Sequence, residues 1–177
     1  MNILKVLSFF FDSPYSEAYL REIARKLKMS PATVLRCVAQ LEGANLVVRR
    51  KTNNAVYFRA SMGNAFKAMK TAYSIGKIES AGVVERIALK SGGLHCILLY
   101  GSAARGEDDS GSDFDFLVIA ARCDAKGGEL SEKLGRECGL QTYTISQWKE
   151  ITKKNRAFYL EVISGSIALK GGKPVID

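Results

Sequence analysis

Two apolar stretches joined by a short polar segment, residues 101–115, constrain this 177-residue chain more than any other feature. Gly101 and Ser102 follow the apolar run 94–100, and Asp113 and Asp115 open a second apolar run that extends to residue 121. Residues two apart in a β-strand project from the same face, so the spacing predicts that both carboxylates share one face while Phe114 points into a core. The pattern predicts a strand, a tight turn, a helix start and a second strand.

Each part of this segment has a chemical reason. Glycine at position 101 permits a tight turn that a side chain would obstruct. A helix that begins at Ser102 directs free N–H groups towards an anion, and the serine hydroxyl can donate to a phosphate oxygen. Arg105 lies one turn later and offers a fixed positive charge. Paired carboxylates such as Asp113 and Asp115 suit Mg²⁺, which binds a few carboxylates together with substrate phosphates and water.

The whole pattern resembles the defining motif of the minimal nucleotidyltransferases of the DNA polymerase β superfamily. Gly-Ser is followed by ten residues and then by Asp-x-Asp, and Arg105, Gly106 and Ser112 also match the motif. The resemblance implies an α/β domain with a small mixed sheet, Mg²⁺ or Mn²⁺ as the metal, and a nucleoside triphosphate as substrate or ligand. The roles that it implies are catalysis and metal binding for Asp113 and Asp115, and nucleotide or phosphate binding for Gly101, Ser102 and Arg105.

The chain departs from the family at one position. Active members carry a third carboxylate on the next strand, but the predicted strand 140–146 contains neither Asp nor Glu. We expect Thr142 or Thr144 to be the equivalent residue. A threonine hydroxyl is a poor Mg²⁺ ligand and no useful base at neutral pH. The resemblance therefore supports metal and phosphate binding by this chain more strongly than it supports catalysis.

The first sixty residues predict three helices and a hairpin. Apolar residues at helical spacing predict helices over 3–11 and 16–28, and Ser30 followed by Pro31 predicts a capped third helix that runs to about residue 42 and buries Val34, Leu35, Val38 and Leu41. Strands 46–51 and 55–60 flank the polar turn 52–54. Residues 19–27 followed by Met29-Ser30-Pro31, with the hairpin behind them, resemble a winged helix-turn-helix domain.

This resemblance implies DNA binding. Residues 1–60 hold ten Lys and Arg against four Asp and Glu, whereas residues 61–177 hold sixteen against fourteen, so the positive excess lies where a phosphate backbone would be bound. The predicted DNA-binding residues lie on the third helix and the hairpin: Ser30, Thr33, Arg36, Gln40, Arg49, Arg50 and Lys51. The apolar first helix is a candidate homodimer surface, and a winged helix used for protein contact is the alternative.

The remainder of the chain predicts the rest of an α+β fold. Residues 64–90 are helical in pattern with breaks near Gly76 and Gly82, and they are followed by a helix near 126–138, a strand at 141–146, helix over 147–164 and a strand at 167–169. We predict a winged helix domain at 1–62, connecting helices at 63–90 and a nucleotidyltransferase domain at 91–177.

Composition excludes several classes of protein. No apolar run reaches the roughly 18 residues that a membrane helix needs, and the apolar start lacks a basic leader, so we expect a cytoplasmic protein with no membrane partner. The four cysteines are widely spaced and form no CxxC pair, and His95 is the sole histidine. These features predict buried, reduced thiols rather than a zinc site.

Three functions follow. The first is an enzyme that transfers a nucleoside monophosphate from a nucleoside triphosphate to a hydroxyl acceptor. The second is a DNA-binding transcriptional regulator whose nucleotidyltransferase domain binds nucleotide without turning it over. The third is an antitoxin-type partner of a HEPN toxin, a role that some minimal nucleotidyltransferases have.

Overall fold

The computed structural model describes residues 2–176, and the chain divides into two compact units, Met1–Tyr73 and Ser74–Asp177. The boundary falls inside helix α4 (Asn64–Ser80), within the segment predicted to connect the domains. The domain limits at residues 62 and 90 stay a prediction.

The first unit contains three helices and a three-stranded antiparallel sheet ahead of α4. Its elements are α1 (Asn2–Asp12), β1 (Ala18–Tyr19), α2 (Leu20–Leu27), α3 (Pro31–Gly43), β2 (Val47–Lys51) and β3 (Val56–Ala60). The strands lie in the order β1-β3-β2, and the apolar faces of the helices pack with the inner face of the sheet into one core.

Local sequence determines the ends of these helices. The hydroxyl of Ser30 accepts a hydrogen bond from the backbone N–H of Thr33 at 3.2 Å, and Pro31 occupies the first turn, where its missing N–H costs nothing. At the end of α1, the buried ammonium of Lys70 on α4 donates to the carbonyl of Phe11 at 2.7 Å. A cation in this position satisfies an orphan carbonyl and matches the negative end of the helix dipole.

Two predictions for the first unit are wrong. The second helix begins at Leu20 rather than at residue 16, because Ala18 and Tyr19 pair with Phe58 and Tyr57 of β3 and are held in extended conformation. Leu35 on α3 is 48% exposed rather than buried, and Cys37 takes the inward position instead.

The second unit is built on a four-stranded mixed sheet. Its elements after α4 are α5 (Val83–Leu89), β4 (Ser91–Tyr100), α6 (Gly101–Arg105), β5 (Phe114–Cys123), α7 (Gly127–Leu134), β6 (Cys138–Tyr143), α8 (Ile145–Lys154), α9 (Arg156–Gly165) and β7 (Ile167–Gly171). The strand order is β6-β5-β4-β7, with β5 and β6 parallel and the other pairs antiparallel. The predicted α+β class with a small mixed sheet is confirmed. No helix within residues 2–176 has the length and apolar character needed to cross a membrane.

Apolar cores lie on both faces of this sheet. Successive residues of each strand project alternately into one core and into the other. Leu99, Phe116 and Val118 pack in the core that includes α5 and α7. Leu98 and Leu117, which alternate with them, pack in a second core around Trp148 of α8. By the same alternation Asp115, one residue from Phe116, projects from the α8 side of the sheet.

Three element predictions in this unit need correction. Gly76 does not break α4, which runs through it to Ser80. Helix α7 ends at Leu134 rather than near 138, because Gly135 adopts a left-handed conformation with φ of 62°. Strand β6 therefore begins at Cys138, and it ends before Thr144, whose side chain caps α8 in a reciprocal pair with Gln147.

Candidate functional site

The Gly101–Ser102 turn and the carboxylate of Asp115 lie against each other. Gly101 has a φ of 72°, in the region that favours glycine, and a Cβ atom added to it would lie 2.6 Å from Oδ2 of Asp115. Glycine is thus required at position 101 by its backbone conformation and by the approach of the carboxylate.

Asp113 and Asp115 form an acidic pair at the start of β5. Asp113 is exposed immediately before the strand, and Asp115 is half-buried as the register partner of Tyr100 on β4 and of Gly139 on β6. Burial raises the pKa of Asp115, the negative charges of Asp113 and Glu161 raise it further, and the positive charge of Arg136 opposes them. Such a carboxylate gains more from a bound cation than a solvated one does.

The neighbouring strand offers no third carboxylate, and the prediction of its equivalent position is wrong. Thr142 is the register partner of Val118 and projects from the opposite face, while Thr144 lies beyond the strand as the cap of α8. The β6 positions on the same face as Asp115 are Gly139, Gln141 and Tyr143. A Cβ at Gly139 would lie 2.7 Å from Oδ1 of Asp115.

Arg136 organises the loop that leads into the acidic pair. Its Nη1 donates to the buried carboxylate of Asp108 at 2.7 Å, and its Nε donates to the carbonyl of Ser112, the residue before Asp113. Its guanidinium carbon lies 4.1 Å from the ring centre of Phe114, the residue between the two aspartates. The loop is closed internally by Asp109, which accepts hydrogen bonds from the N–H of Gly111 and the hydroxyl of Ser112.

Arg105 contacts two acidic side chains. Its guanidinium lies 3.0 Å from Glu107 and 3.4 Å from Glu161 on α9. Helix α6, which carries Ser102 and Arg105, is only five residues long, so its dipole is too small to form an anion site by itself.

Residues missed from the sequence are Arg136, Glu161 and Gly139. Arg136 contacts residues more than twenty positions away, and Glu161 influences Asp115 from a helix that follows it by more than forty. No local pattern contains such contacts. The sequence does contain a signal for Gly139, because a glycine in a strand interior often marks the close approach of another group.

The donor atoms around Asp115 fit a divalent cation that shares its coordination with phosphate and water. Two carboxylates are the protein contribution that Mg²⁺ usually takes in triphosphate sites, and the absence of side chains at Gly101 and Gly139 allows the Asp115 carboxylate to lie against both backbones. Within residues 2–176, no three His, Cys, Asp or Glu side chains form a group that could hold a metal alone. All four cysteines are free thiols, and Cys123 is half-buried rather than buried.

The predicted DNA-binding residues of α3 occupy its first three turns. The hydroxyls of Ser30 and Thr33 are hydrogen-bonded to each other at 2.9 Å, so both are partly engaged. Arg36 and Gln40 are exposed and lie one turn apart on the same helix face.

The hairpin separates its three predicted basic residues. Arg49 and Lys51 are register partners of Phe58 and Val56 and project from the face that packs on the helices. Arg50 projects from the other face, where its guanidinium lies 2.9 Å from Glu17.

The first helix contributes most of its apolar residues to the core of its own unit. Val6, Leu7, Phe10 and Phe11 are buried, and Leu4, which is 61% exposed, is the large apolar residue of α1 that remains on the surface. The apolar surface that α1 leaves exposed is therefore smaller than its sequence indicates, and the homodimer stays a prediction.

Comparison with known proteins gives no family assignment. No protein-family model matches the chain, and no curated protein matches it. Two solved structures resemble part of it: a toxin–antitoxin with AMP-PNP, at 19% identity and a TM-score of 0.41, and a mutant of the toxin–antitoxin MntA-HpeT, at 17% identity and a TM-score of 0.40. Each match covers 56% of this chain and 74% of the other.

Proposed function

We propose that the second unit binds a nucleoside triphosphate together with Mg²⁺ or Mn²⁺, and that the first unit is a winged helix that binds DNA. The observation that carries the nucleotide proposal is the approach of Gly101 to Asp115, which places the Gly101–Ser102 turn beside one of the two carboxylates. The proposal assigns Asp113 and Asp115 to the metal and the Gly101–Ser102 turn to phosphate.

The chemistry of each group supports its assigned role. A bound cation would offset the repulsion between Asp113 and Asp115 and the burial of Asp115, both of which raise the pKa of Asp115. The cation would supply charge neutralisation for the phosphates. Ser102 is assigned as a hydroxyl donor to phosphate. Arg105 is paired with Glu107 and Glu161, and it contributes to phosphate binding only if it leaves these partners.

Metal-dependent binding of nucleotide is tested by equilibrium dialysis of labelled nucleoside triphosphates with Mg²⁺ or with EDTA. The Asp113→Asn/Asp115→Asn variant should lose at least about tenfold in affinity, or about 1.4 kcal/mol, because the metal-dependent part of binding disappears. Asp124→Asn is the control, since Asp124 is an exposed acid at the far end of β5 whose partner is Arg122. Equal binding by all three proteins, with or without metal, would reject the proposal.

Nucleotidyl transfer to a hydroxyl acceptor is the second candidate function. The observation that favours it is Glu161, a carboxylate from α9 whose charge acts on Asp115. The face of β6 beside Asp115 carries Gly139 and Gln141, neither of which can accept a proton from a hydroxyl at neutral pH. Incubation with labelled ATP, GTP, CTP and UTP over protein, RNA and small-molecule acceptors tests this candidate, and label transfer that Glu161→Gln abolishes would support it.

DNA binding by the first unit is supported by its charge and by the order of its elements. Residues 1–60 hold ten Lys and Arg against four Asp and Glu, and α2, α3 and the β2–β3 hairpin follow each other as in a winged helix. Arg36 and Gln40 on α3 are assigned to base contacts, because both side chains can form paired hydrogen bonds with base edges.

A HEPN-type toxin partner stays a prediction. The two solved structures compared above are described as toxin–antitoxin proteins, and at TM-scores of 0.41 and 0.40 they carry no argument for a partner of this chain. Co-expression with the product of an adjacent short reading frame would test it, and a stoichiometric complex would be the supporting result.

A further inference from the structure

Tyr100 shares a sheet face with Asp115 and carries a hydroxyl that makes no hydrogen bond within residues 2–176. It is the last residue of β4 and the register partner of Asp115 on β5, so the two side chains are cross-strand neighbours. The tyrosine is only 8% exposed. Because the hydroxyl of a buried tyrosine usually has a partner, this unpaired group is a candidate contact for a ligand.

The ring of Tyr100 is held by packing while its hydroxyl stays accessible. The ring of Phe158 on α9 meets it edge-on with the centroids 5.7 Å apart, and both rings pack with the buried core around Trp148. The side-chain polar atoms that are both fully buried and unpaired within residues 2–176 do not include this hydroxyl, so a ligand can reach it. Since the ring is already fixed, little side-chain entropy is lost when the hydroxyl binds.

Two carboxylates lie within electrostatic range of this hydroxyl. Burial raises the pKa of Tyr100 to about 12, and the charges of Asp115 and Glu161 are among those that raise it further. Glu161 on α9 offers one carboxylate oxygen, Oε1, to Arg105 at 3.4 Å, and its Oε2 has no hydrogen-bond partner in the described part of the chain. Tyr100 thus supplies an unused donor, and Glu161 supplies an unused acceptor.

A sugar hydroxyl matches this donor and acceptor better than a phosphate does. A phosphate oxygen only accepts hydrogen bonds when it is ionised, and the charges of Asp115 and Glu161 would repel it where no cation intervenes. A hydroxyl both accepts and donates, so it can bond to Tyr100 and to Glu161 at once. The ribose of a nucleoside triphosphate carries such hydroxyls, and the phosphates are assigned to the Gly101–Ser102 turn.

We infer that the hydroxyl of Tyr100 donates a hydrogen bond to a ribose hydroxyl of the bound nucleotide, which donates in turn to the carboxylate of Glu161. The inference rests on the proposed nucleotide binding and names its substrate class, which is ribonucleoside rather than deoxyribonucleoside triphosphates. A site that hydrogen-bonds a hydroxyl discriminates against a ligand that lacks it, because the protein groups then stay unpaired in the complex. Tyr100 is therefore a specificity-determining residue.

The test measures the preference of the intact protein for ribose by equilibrium dialysis with Mn²⁺. The tightest ligand among labelled ATP, GTP, CTP and UTP is compared with its 2′-deoxy and 3′-deoxy forms. Wild type should bind the ribonucleotide about tenfold more tightly than one of the deoxy forms. Tyr100→Phe should lower ribonucleotide affinity about fivefold and leave the affinity for that deoxy form unchanged, which reduces the preference to about twofold.

Tyr143→Phe is the matched control, because it deletes the same atom from a tyrosine whose hydroxyl already donates to Gln141 at 2.9 Å. This variant should retain the wild-type preference. Tyr100→Phe should also unfold at the same urea concentration as wild type, since the deleted hydroxyl has no partner within residues 2–176. A lower urea midpoint would assign the hydroxyl to the stability of the fold and would overturn the inference.

The outcomes separate this inference from the function on which it rests. If wild type shows no metal-dependent binding of any ribonucleotide, the proposed function is rejected and the inference with it. If wild type binds the ribonucleotide and both deoxy forms equally, or if Tyr100→Phe keeps the wild-type preference, nucleotide binding stands and the inference is overturned. An equal loss of preference in Tyr143→Phe would also overturn it, because the effect would then not be specific to Tyr100.

Discussion

Arg136 holds in place the backbone on both sides of Asp113. It contacts the carbonyl of Ser112 before this residue and the ring of Phe114 after it, and it is anchored by the fully buried carboxylate of Asp108. Removal of one partner of a buried ion pair lowers the free energy of unfolding strongly, because the other charge remains in a poorly solvated site. Arg136 is therefore a positioning residue for the acidic pair.

Replacement of Arg136 by glutamine should lower stability and alter the pH dependence of metal binding. We expect a loss of about 3–5 kcal/mol in the free energy of unfolding, measured in urea, because the buried ion pair between Arg136 and Asp108 is broken. Arg136 holds the pKa of Asp115 down against its burial, so the variant should have a higher pKa at Asp115. Protons would then compete with Mn²⁺ for Asp115 at a higher pH. When the solution is acidified, the variant should therefore lose its Mn²⁺ affinity at a higher pH than wild type does.

Two control variants identify the cause. Arg86→Gln alters an arginine whose ion pair with Glu129 is partly exposed, and it should change stability by less than about 1 kcal/mol. Arg136→Lys keeps the charge and should leave the pH midpoint of Mn²⁺ binding near that of wild type. An unchanged midpoint in Arg136→Gln would contradict the electrostatic role of this residue.

The sequence predicts the residues of the site that lie close together in the chain. It does not predict the residues that reach the site from distant positions. Gly101, Ser102, Asp113 and Asp115 lie within fifteen residues, and the two-residue period of a strand is enough to place both aspartates on one face. Arg136 and Glu161 reach the site through the register of β6 and the packing of α9. Periodicity carries no information about either.

At the scale of the element, the hairpin shows how strand alternation divides a run of charges. Arg49, Arg50 and Lys51 are consecutive, yet Arg49 and Lys51 project from the helix-packed face and Arg50 from the other. Arg59, the partner of Val48, shares the face of Arg50. One basic run thus serves two surfaces.

The two faces of the hairpin should contribute unequally to DNA binding. Arg49→Ala/Lys51→Ala should lower duplex affinity and reduce the salt slope by about 1.8, because both cations are exposed and neither has an ion-pair partner among residues 2–176. Arg50→Ala/Arg59→Ala removes the same charge from the opposite face, where Arg50 is already paired with Glu17, and should change the slope by much less. Filter binding over a salt series measures both, and equal losses would show that the faces do not differ in DNA contact.

The sequence predicts the bounds of an element where neighbouring residues determine them. It misplaces an element whose conformation depends on pairing with a distant strand. Helix α3 agrees with its prediction because Ser30 and Pro31 determine its start locally. The extended conformation of Ala18 depends on pairing with Phe58, forty residues later. Strand β6 is an exception, because it lies three residues earlier than predicted owing to a local signal, the Thr144–Gln147 cap that begins α8.

At the scale of the molecule, the proposed DNA binding and the proposed nucleotide binding belong to different compact units. Each unit has its own apolar core, and the ten basic and four acidic residues of positions 1–60 belong to the first unit. The second unit is close to neutral in sequence, with its acidic pair gathered at one end of β5. This division predicts that Asp113→Asn/Asp115→Asn leaves the salt slope of DNA binding unchanged.

The most direct test is the position of manganese in crystals of the intact protein grown with Mn²⁺ and a non-hydrolysable nucleoside triphosphate. We expect an anomalous difference peak within about 2.2 Å of a carboxylate oxygen from each of Asp113 and Asp115, with the triphosphate beside the Gly101–Ser102 turn. A map with bound nucleotide but no manganese at these two aspartates would contradict the account.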